Sequence, residues 1–252
     1  IFFDDANWKQ ALDGAMLGIL FNQGQVCCAG SRIFVQDTIY DKFVAELAAL
    51  FDKVKVGLPW EESTQLGSLI YEDQVNKVLS YVDLAKEEGA RIVAGGVRVT
   101  DGELGKGCFI RPTLIADATN DMRVAREEIF GPVMPIICVK YGAEAETFIK
   151  KLPTPLALYV FSSDLKEAKA MMKRLHFGGG CINDVVMHIA NHHLPFGGVG
   201  DSGMGCYHGE DNFKAFTRKK SVVISSARID FPFRYFPHGS MKLKFLRKLL
   251  EH

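Results

Sequence analysis

The sequence predicts an α/β fold, a largely parallel twisted sheet flanked by helices, and three observations carry that expectation. Strand-like and helix-like periods alternate along the chain, as they do where crossover helices join parallel strands. The segments Val133–Val139 and 156–161 are almost wholly apolar, which suits strands covered on both faces. The 252 residues, 48% hydrophobic and 24% charged, suffice for one large domain or two small ones.

The elements follow in order. Residues 1–5, Ile-Phe-Phe-Asp-Asp, read as the end of a strand. From Asn7 onward Trp8, Ala11, Leu12, Ala15, Met16 and Ile19 keep the i, i+3, i+4 spacing of a helix, with Asp4 and Asp5 placed to cap it. Ile33-Phe34-Val35 is a short strand. Tyr40, Phe43, Val44, Leu47 and Phe51 then share one helical face. Val75, Val78, Leu79 and Val82 share another, on a helix that stops at Gly89, a residue at ease in the left-handed conformation past a helix end. Strands are expected at Arg91–Ala94, 109–115, Val133–Val139 and 156–161, with helices around Phe148 and over 168–175. Residues 183–209 are rich in Gly, His and Asn and too long for a plain connector. Loops of that kind carry function on a rigid scaffold. Beyond Ser225 the chain turns aromatic and proline-containing. It ends basic and amphipathic, with Lys242, Lys244, Arg247 and Lys248 alternating with Leu243, Phe245, Leu246, Leu249 and Leu250.

Composition excludes several classes of function. Lys+Arg 30 balances Asp+Glu 30, so no net field favours nucleic acid as a partner. No run of about 18 apolar residues spans a membrane. The six cysteines are too sparse for a disulfide scaffold, and no C-x-x-C pair suggests structural zinc. Free thiols in a reducing, cytoplasmic setting and no metal site are therefore expected. His188, His192 and His193 read as hydrogen-bonding loop residues, since Pro195 interrupts any helical ligand spacing. The chain opens without Met and without a basic leader, and reads as cut from something longer.

Chemistry concentrates in Gly24-Gln25-Val26-Cys27-Cys28-Ala29-Gly30-Ser31-Arg32, between an amphipathic helix and a strand. A thiol reacts as thiolate, exposed and electrostatically assisted. A glycine-flanked loop offers that exposure, and its N–H groups can face a developing oxyanion. The residues alone leave open a second reading, two small buried hydrophobes. Further on stand Glu127-Glu128-Ile129-Phe130-Gly131-Pro132-Val133, then Asn183-Asp184, then Leu194-Pro195-Phe196-Gly197-Gly198-Val199-Gly200-Asp201-Ser202-Gly203. Within the last, Gly198-x-Gly200-x-x-Gly203 matches a dinucleotide fingerprint as a string. It lacks the preceding strand and the acidic residue about 20 positions on that such a site needs.

These three ordered motifs resemble those of the aldehyde dehydrogenase superfamily, over nearly the whole chain. The resemblance implies that Cys27 is the nucleophile, with Cys28 a neighbour of no assigned role. It implies that Glu128 binds the nicotinamide ribose hydroxyls of NAD or NADP, that Phe130 packs beside the nicotinamide, and that Phe196 lines the substrate tunnel. Up to about Val139 the chain is similar to the broad branch with Cys-x-Ala-Gly-Ser-Arg at the nucleophile. From about Thr147, the stretch 155–163 and Gly203-Met204-Gly205-x-Tyr207-His208-Gly209 resemble the class 3 and fatty aldehyde branch.

The implied organisation is a catalytic domain over residues 1–220, then an oligomerisation strand (Val222-Val223-Ile224) and tail over 221–252. Family members carry the cofactor domain, the general-base Glu, the oxyanion Asn and a cofactor-contacting Lys upstream of the matched segment, so the chain alone is expected to be inactive. The implied reaction oxidises an aldehyde to a carboxylic acid through a cysteine-bound thiohemiacetal and thioester. The implied assembly is a homodimer or higher homo-oligomer. Two other readings stay open at this stage: a non-catalytic assembly module, and an acyl-phosphate reductase-type relative. The tail is also compatible with a membrane surface, although packing on protein is favoured.

Overall fold

A central sheet is assembled from three pieces of chain. The computed structural model describes residues 1–237 and 239–250; His238, Glu251 and His252 of the expected tail lie outside the described residues. Strand β1 (Ile33–Gln36) runs parallel to β4 (Val133–Val139), which is parallel to β3 (Thr113–Ala116), and β2 (Arg91–Ala94) closes that edge antiparallel. A second piece pairs β5 (Ala157–Val160) with β6 (Gly179–Ile182) in parallel. Residues 1–3 join the two. Phe2 bridges Val35 on one side and Phe161 on the other, both parallel. Its N–H donates to the Phe34 carbonyl at 2.8 Å, and the Phe3 N–H donates to the Phe161 carbonyl at 3.1 Å. The strand end expected at residues 1–5 is thus the seam of the sheet.

Helices cover the faces. Helix α1 (Trp8–Leu20) buries Ala11, Leu12, Ala15 and Ile19, and α2 (Asp37–Asp52) buries Phe43, Leu47 and Phe51 against it. Phe2 stacks on Phe161 with ring centroids 4.6 Å apart and tilts against Phe43 at 5.0 Å. Such pairs add about 0.5–1.5 kcal/mol beyond their buried area. Helix α3 (Glu72–Glu87) is capped by Glu88 and followed by Gly89 at φ 93°, where its sequence predicts the stop. Short α4 (Arg123–Arg126), then α5 (Gly142–Lys150) and α6 (Leu165–Arg174), complete the layers.

Three expectations need correction. Asn7, not Asp4 or Asp5, caps α1, its side chain accepting from the Gln10 N–H at 3.0 Å. Asp4 accepts instead from the Gln36 side chain, and Asp5 accepts from Ser162 Oγ and the Asp164 N–H. The strand expected over 109–115 is regular only at Thr113–Ala116, because Pro112 brings no N–H to the ladder; Ile110 makes a single bridge to Arg98. Strand β6 was not expected at all. Its glycines look like a loop, yet a Cβ on Gly180 would stand 1.9 Å from the Leu158 carbonyl oxygen, so only glycine pairs that closely with β5.

The segment 183–209 is mostly irregular, with a short helix α7 (Met187–Ala190) and a 3-10 turn at Gly200–Ser202; α8 (Gly209–Ala215) follows. By its internal packing the chain divides into two compact units, Ile1–Phe216 and Thr217–His252. In the second, Val222, Val223 and Ile224 form no strand and are exposed, and α9 (Ser240–Leu250) buries none of its side chains. Among the described residues no helix is long and apolar enough to cross a membrane, and no group of three or more His, Cys, Asp and Glu residues is placed to hold a metal ion.

Candidate active site

The loop bearing the two cysteines is held at four points. Helix α1 ends where Asn22, Gln23 and Gly24 take φ of 47°, 57° and 69° in succession, a left-handed run that reverses the chain. Such backbone costs a non-glycine residue energy and clusters at functional sites. Gly24 sits against Gly131 of the Glu-Glu-Ile-Phe-Gly-Pro segment, where an added Cβ would meet the Gly131 oxygen at 2.2 Å. The two motifs therefore pack directly on one another. Gln25 accepts from the Ile70 N–H at 3.0 Å, and the Gly30 N–H donates to the Gly18 carbonyl of α1 at 2.7 Å. The fourth point is the buried Cys28, whose carbonyl accepts from the Tyr159 hydroxyl at 2.7 Å.

The cysteines are sorted by this geometry. Cys27 is exposed and Cys28 is 1% exposed. Burial pushes the Cys28 thiol up, against the thiolate form. Among the described residues the Cys27 N–H has no backbone partner, whereas the Cys28 N–H faces its own thiol. All six cysteines are free.

Cys27 opens onto a cavity of about 520 Å³ whose wall includes Arg32, Glu128, Thr154, Asp201 and Ser202. The two adjacent glutamates are sorted as well. Glu127 accepts from Arg123 Nε at 2.7 Å and from the Tyr81 hydroxyl at 2.6 Å, which hold its carboxyl down at about 2. The Glu128 carboxylate has no ion pair or hydrogen bond among the described residues and stands exposed on the cavity wall. Only its backbone carbonyl is tied, by Lys77 Nζ at 2.9 Å.

Cys27 and Glu128 are brought together on one cavity; Phe130 and Phe196 do not line it. Phe130 is half-buried at φ 60°, next to the Gly24–Gly131 contact. Phe196 is buried, paired through its backbone with Tyr207 and set against the His188, Tyr207 and His208 rings. The Gly198–Gly203 string forms the turn that brings Asp201 and Ser202 to the cavity, with neither the strand nor the helix of a dinucleotide fingerprint.

Three participants were not expected. Gln74, buried on α3, donates to the carbonyls of Ile129 and Phe130 at 3.0 and 2.8 Å and fixes the turn after Glu128. Its signal was a polar residue on the apolar face beside Val75 and Val78. Arg32 lies on the cavity over the Phe34 ring at 5.4 Å, and burial lowers its guanidinium to about 10. His188 does hydrogen-bond, Nδ1 to Cys181 Sγ at 3.8 Å, but from the short helix α7 and 7% exposed, with Nε2 unpartnered among the described residues. Its sequence neighbours in a Gly- and His-rich stretch hid that burial.

Known proteins agree with this architecture. The family model of the aldehyde dehydrogenase family matches residues 1–222. Betaine aldehyde dehydrogenase of Cereibacter sphaeroides is 37% identical over 233 residues, which is 92% of this chain and 47% of that protein. The chain thus spans about half the length of the curated relatives it matches. A crystal structure of a betaine aldehyde dehydrogenase point mutant from Staphylococcus aureus, in complex with NAD+ and with a BME-modified cysteine, superposes with a TM-score of 0.82 at 38% identity, over 85% of this chain and 43% of that one. An aldehyde dehydrogenase mutant from Bacillus cereus gives a TM-score of 0.83 at 35% identity, over 88% of this chain and 44% of that one. On sequence and fold together, the chain belongs to the aldehyde dehydrogenase family.

Proposed function

We propose that residues 1–220 are the catalytic part of an enzyme that oxidises aldehydes to carboxylic acids with NAD or NADP, and that Cys27 is its nucleophile. One observation carries this reading: an exposed thiol, Cys27, and a carboxylate with no hydrogen bond or ion pair among the described residues, Glu128, lie on the same cavity, while Cys28 is buried and Glu127, on the same wall, is tied to Arg123 and Tyr81. The Staphylococcus aureus relative supports it, since it holds NAD+ and a cysteine open to a thiol reagent.

Cys27 Sγ, as thiolate, adds to the aldehyde carbon and forms a thiohemiacetal. The Cys27 N–H, without a backbone partner among the described residues, is the donor this turn could offer the oxyanion so created. The Glu128 carboxylate, with four free lone-pair positions, suits two ribose hydroxyls, and Phe130 offers a flat apolar ring beside it. When bound, the nicotinamide cofactor accepts the hydride that leaves the carbon. Cys27 is then the sulfur of a thioester, and attack by water releases the acid and the thiolate. The resemblance places the base for that water upstream of the matched segment, so turnover is assigned to the whole enzyme and this chain alone is expected to be inactive. Phe196 is assigned to the apolar side from which the aldehyde reaches Cys27. Residues 221–252 are assigned to assembly, with Val222-Val223-Ile224 adding to the sheet of a second copy.

The test is reduction of NAD+ and of NADP+ by the whole enzyme over a panel of aldehydes. Cofactor reduction with at least one aldehyde is expected; none with any aldehyde overturns the reading. Glu128→Gln is expected to lower the rate of hydride transfer roughly a hundredfold, because a reacting group misplaced by about 1 Å loses that much. Cofactor affinity should change far less. An unchanged hydride-transfer rate, measured in a single turnover, removes Glu128 from the site.

The tail is assigned to protein rather than membrane. Helix α9 is 11 residues, marginal for an isolated helix in water. Sedimentation with anionic vesicles at physiological salt is expected to show no binding that depends on residues 241–252. Tail-dependent pelleting there contradicts the assignment.

A further inference from the structure

The structure assigns Tyr159 as a positioning residue of the nucleophile loop: its buried hydroxyl clamps the Cys28 carbonyl and so fixes the turn that presents Cys27. The inference rests on Cys27 being the nucleophile, as proposed above. Tyr159 Oη donates to the Cys28 carbonyl at 2.7 Å between groups 131 residues apart, both buried. Among the described residues no other donor reaches that carbonyl. Within the turn itself the Ala29 N–H donates to the Val26 carbonyl at 3.1 Å, and just beyond it the Gly30 N–H donates to the Gly18 carbonyl at 2.7 Å. Cys27 thus lies inside a turn whose Cys28 carbonyl is held, among the described residues, by the Tyr159 hydroxyl alone.

The hydroxyl is itself aimed. Tyr159 lies on β5 directly opposite Cys181 of β6. The His188 ring stands edge-on to it at 5.8 Å, with Nδ1 3.8 Å from Cys181 Sγ, and Phe196 backs His188 at 5.4 Å. The Val186 N–H faces the same hydroxyl. Val186 holds φ 62° and ψ −29°, a conformation that a β-branched residue adopts only under constraint. Strain at Val186 and the buried His188, whose Nε2 has no partner among the described residues, both lie behind this one hydroxyl, and neither is used by the chemistry at Cys27. Burial raises the phenol far above its usual range, so it stays a donor at every working pH.

The clamp is tested by Tyr159→Phe, which keeps the ring and removes the donor. The readout is site-resolved alkylation of the 252-residue chain with iodoacetamide, followed by mass spectrometry of the cysteine peptides. In the wild type Cys27 is expected to react fast and Cys28 only at the rate of global unfolding. In the variant Cys28 labelling should rise at least about tenfold and the Cys27 rate shift several-fold, while half-buried Cys181 keeps its rate. Losing a buried hydrogen bond that no water replaces opens the loop by factors of this order. In the whole enzyme kcat should fall with KM nearly unchanged.

Unchanged Cys27 and Cys28 rates overturn the assignment. So does a rise at Cys28 and Cys181 by the same factor, which is plain loosening. If Tyr159→Phe does not fold, the wild type still decides, because Cys28 labelling ten times faster than global unfolding means no clamp. Turnover retained by Cys27→Ala defeats the proposed function instead, whatever the labelling pattern.

Discussion

Cys27→Ala is expected to lower turnover of the whole enzyme by roughly 10⁴–10⁶, the loss that follows when a covalent nucleophile is removed. Cys28→Ala should cost less than about tenfold. The difference comes from placement. Cys27 is exposed on the cavity, whereas Cys28 is 1% exposed and its thiol is held protonated by burial. Truncating Cys28 leaves a small void, expected to lower stability by about 1 kcal/mol. Rates under saturating cofactor decide between them. A dead Cys28→Ala beside an active Cys27→Ala would reverse the assignment.

Gly24→Ala is expected to be strongly destabilising. The left-handed backbone at φ 69° costs an L-residue about 1–2 kcal/mol. Overlap with Gly131 backbone adds a further cost of about 1–3 kcal/mol, since neither partner is a side chain that can turn away. At roughly 2–4 °C per kcal/mol for a unit of this size, the melting temperature should drop on the order of 10 °C. Because the contact joins the cysteine loop to the Glu128 segment, activity at a temperature where the variant is folded should fall as well. A variant within about 2 °C of wild type shows that the contact yields cheaply.

Much of this was readable from residue order, for identifiable reasons. Helices α2 and α3 and strand β4 have long periodic or continuous apolar patterns that tertiary context reinforces. Cys27 and Glu128 were assigned, and set apart from Cys28 and Glu127, through motif likeness; the coordinates add a physical difference within each pair. Exposure decides the first pair, and the Arg123 and Tyr81 contacts decide the second. Strand β6 was invisible because close pairing demands glycine, the residue that also marks loops. The Tyr159–Cys28 bond spans 131 residues and leaves no local pattern. Gln74 and His188 look like ordinary surface polar residues until the fold buries them.

The central claim, covalent chemistry at Cys27, is tested most directly by trapping the intermediate. The whole enzyme is mixed with an aldehyde substrate and oxidised cofactor, quenched in acid within one turnover, and its cysteine peptides are weighed. The account predicts an acyl group on the peptide carrying Cys27, assigned by fragmentation to Cys27 and not Cys28, and absent when cofactor is omitted. Turnover with no acyl adduct on Cys27, or with the adduct on another cysteine, would contradict it.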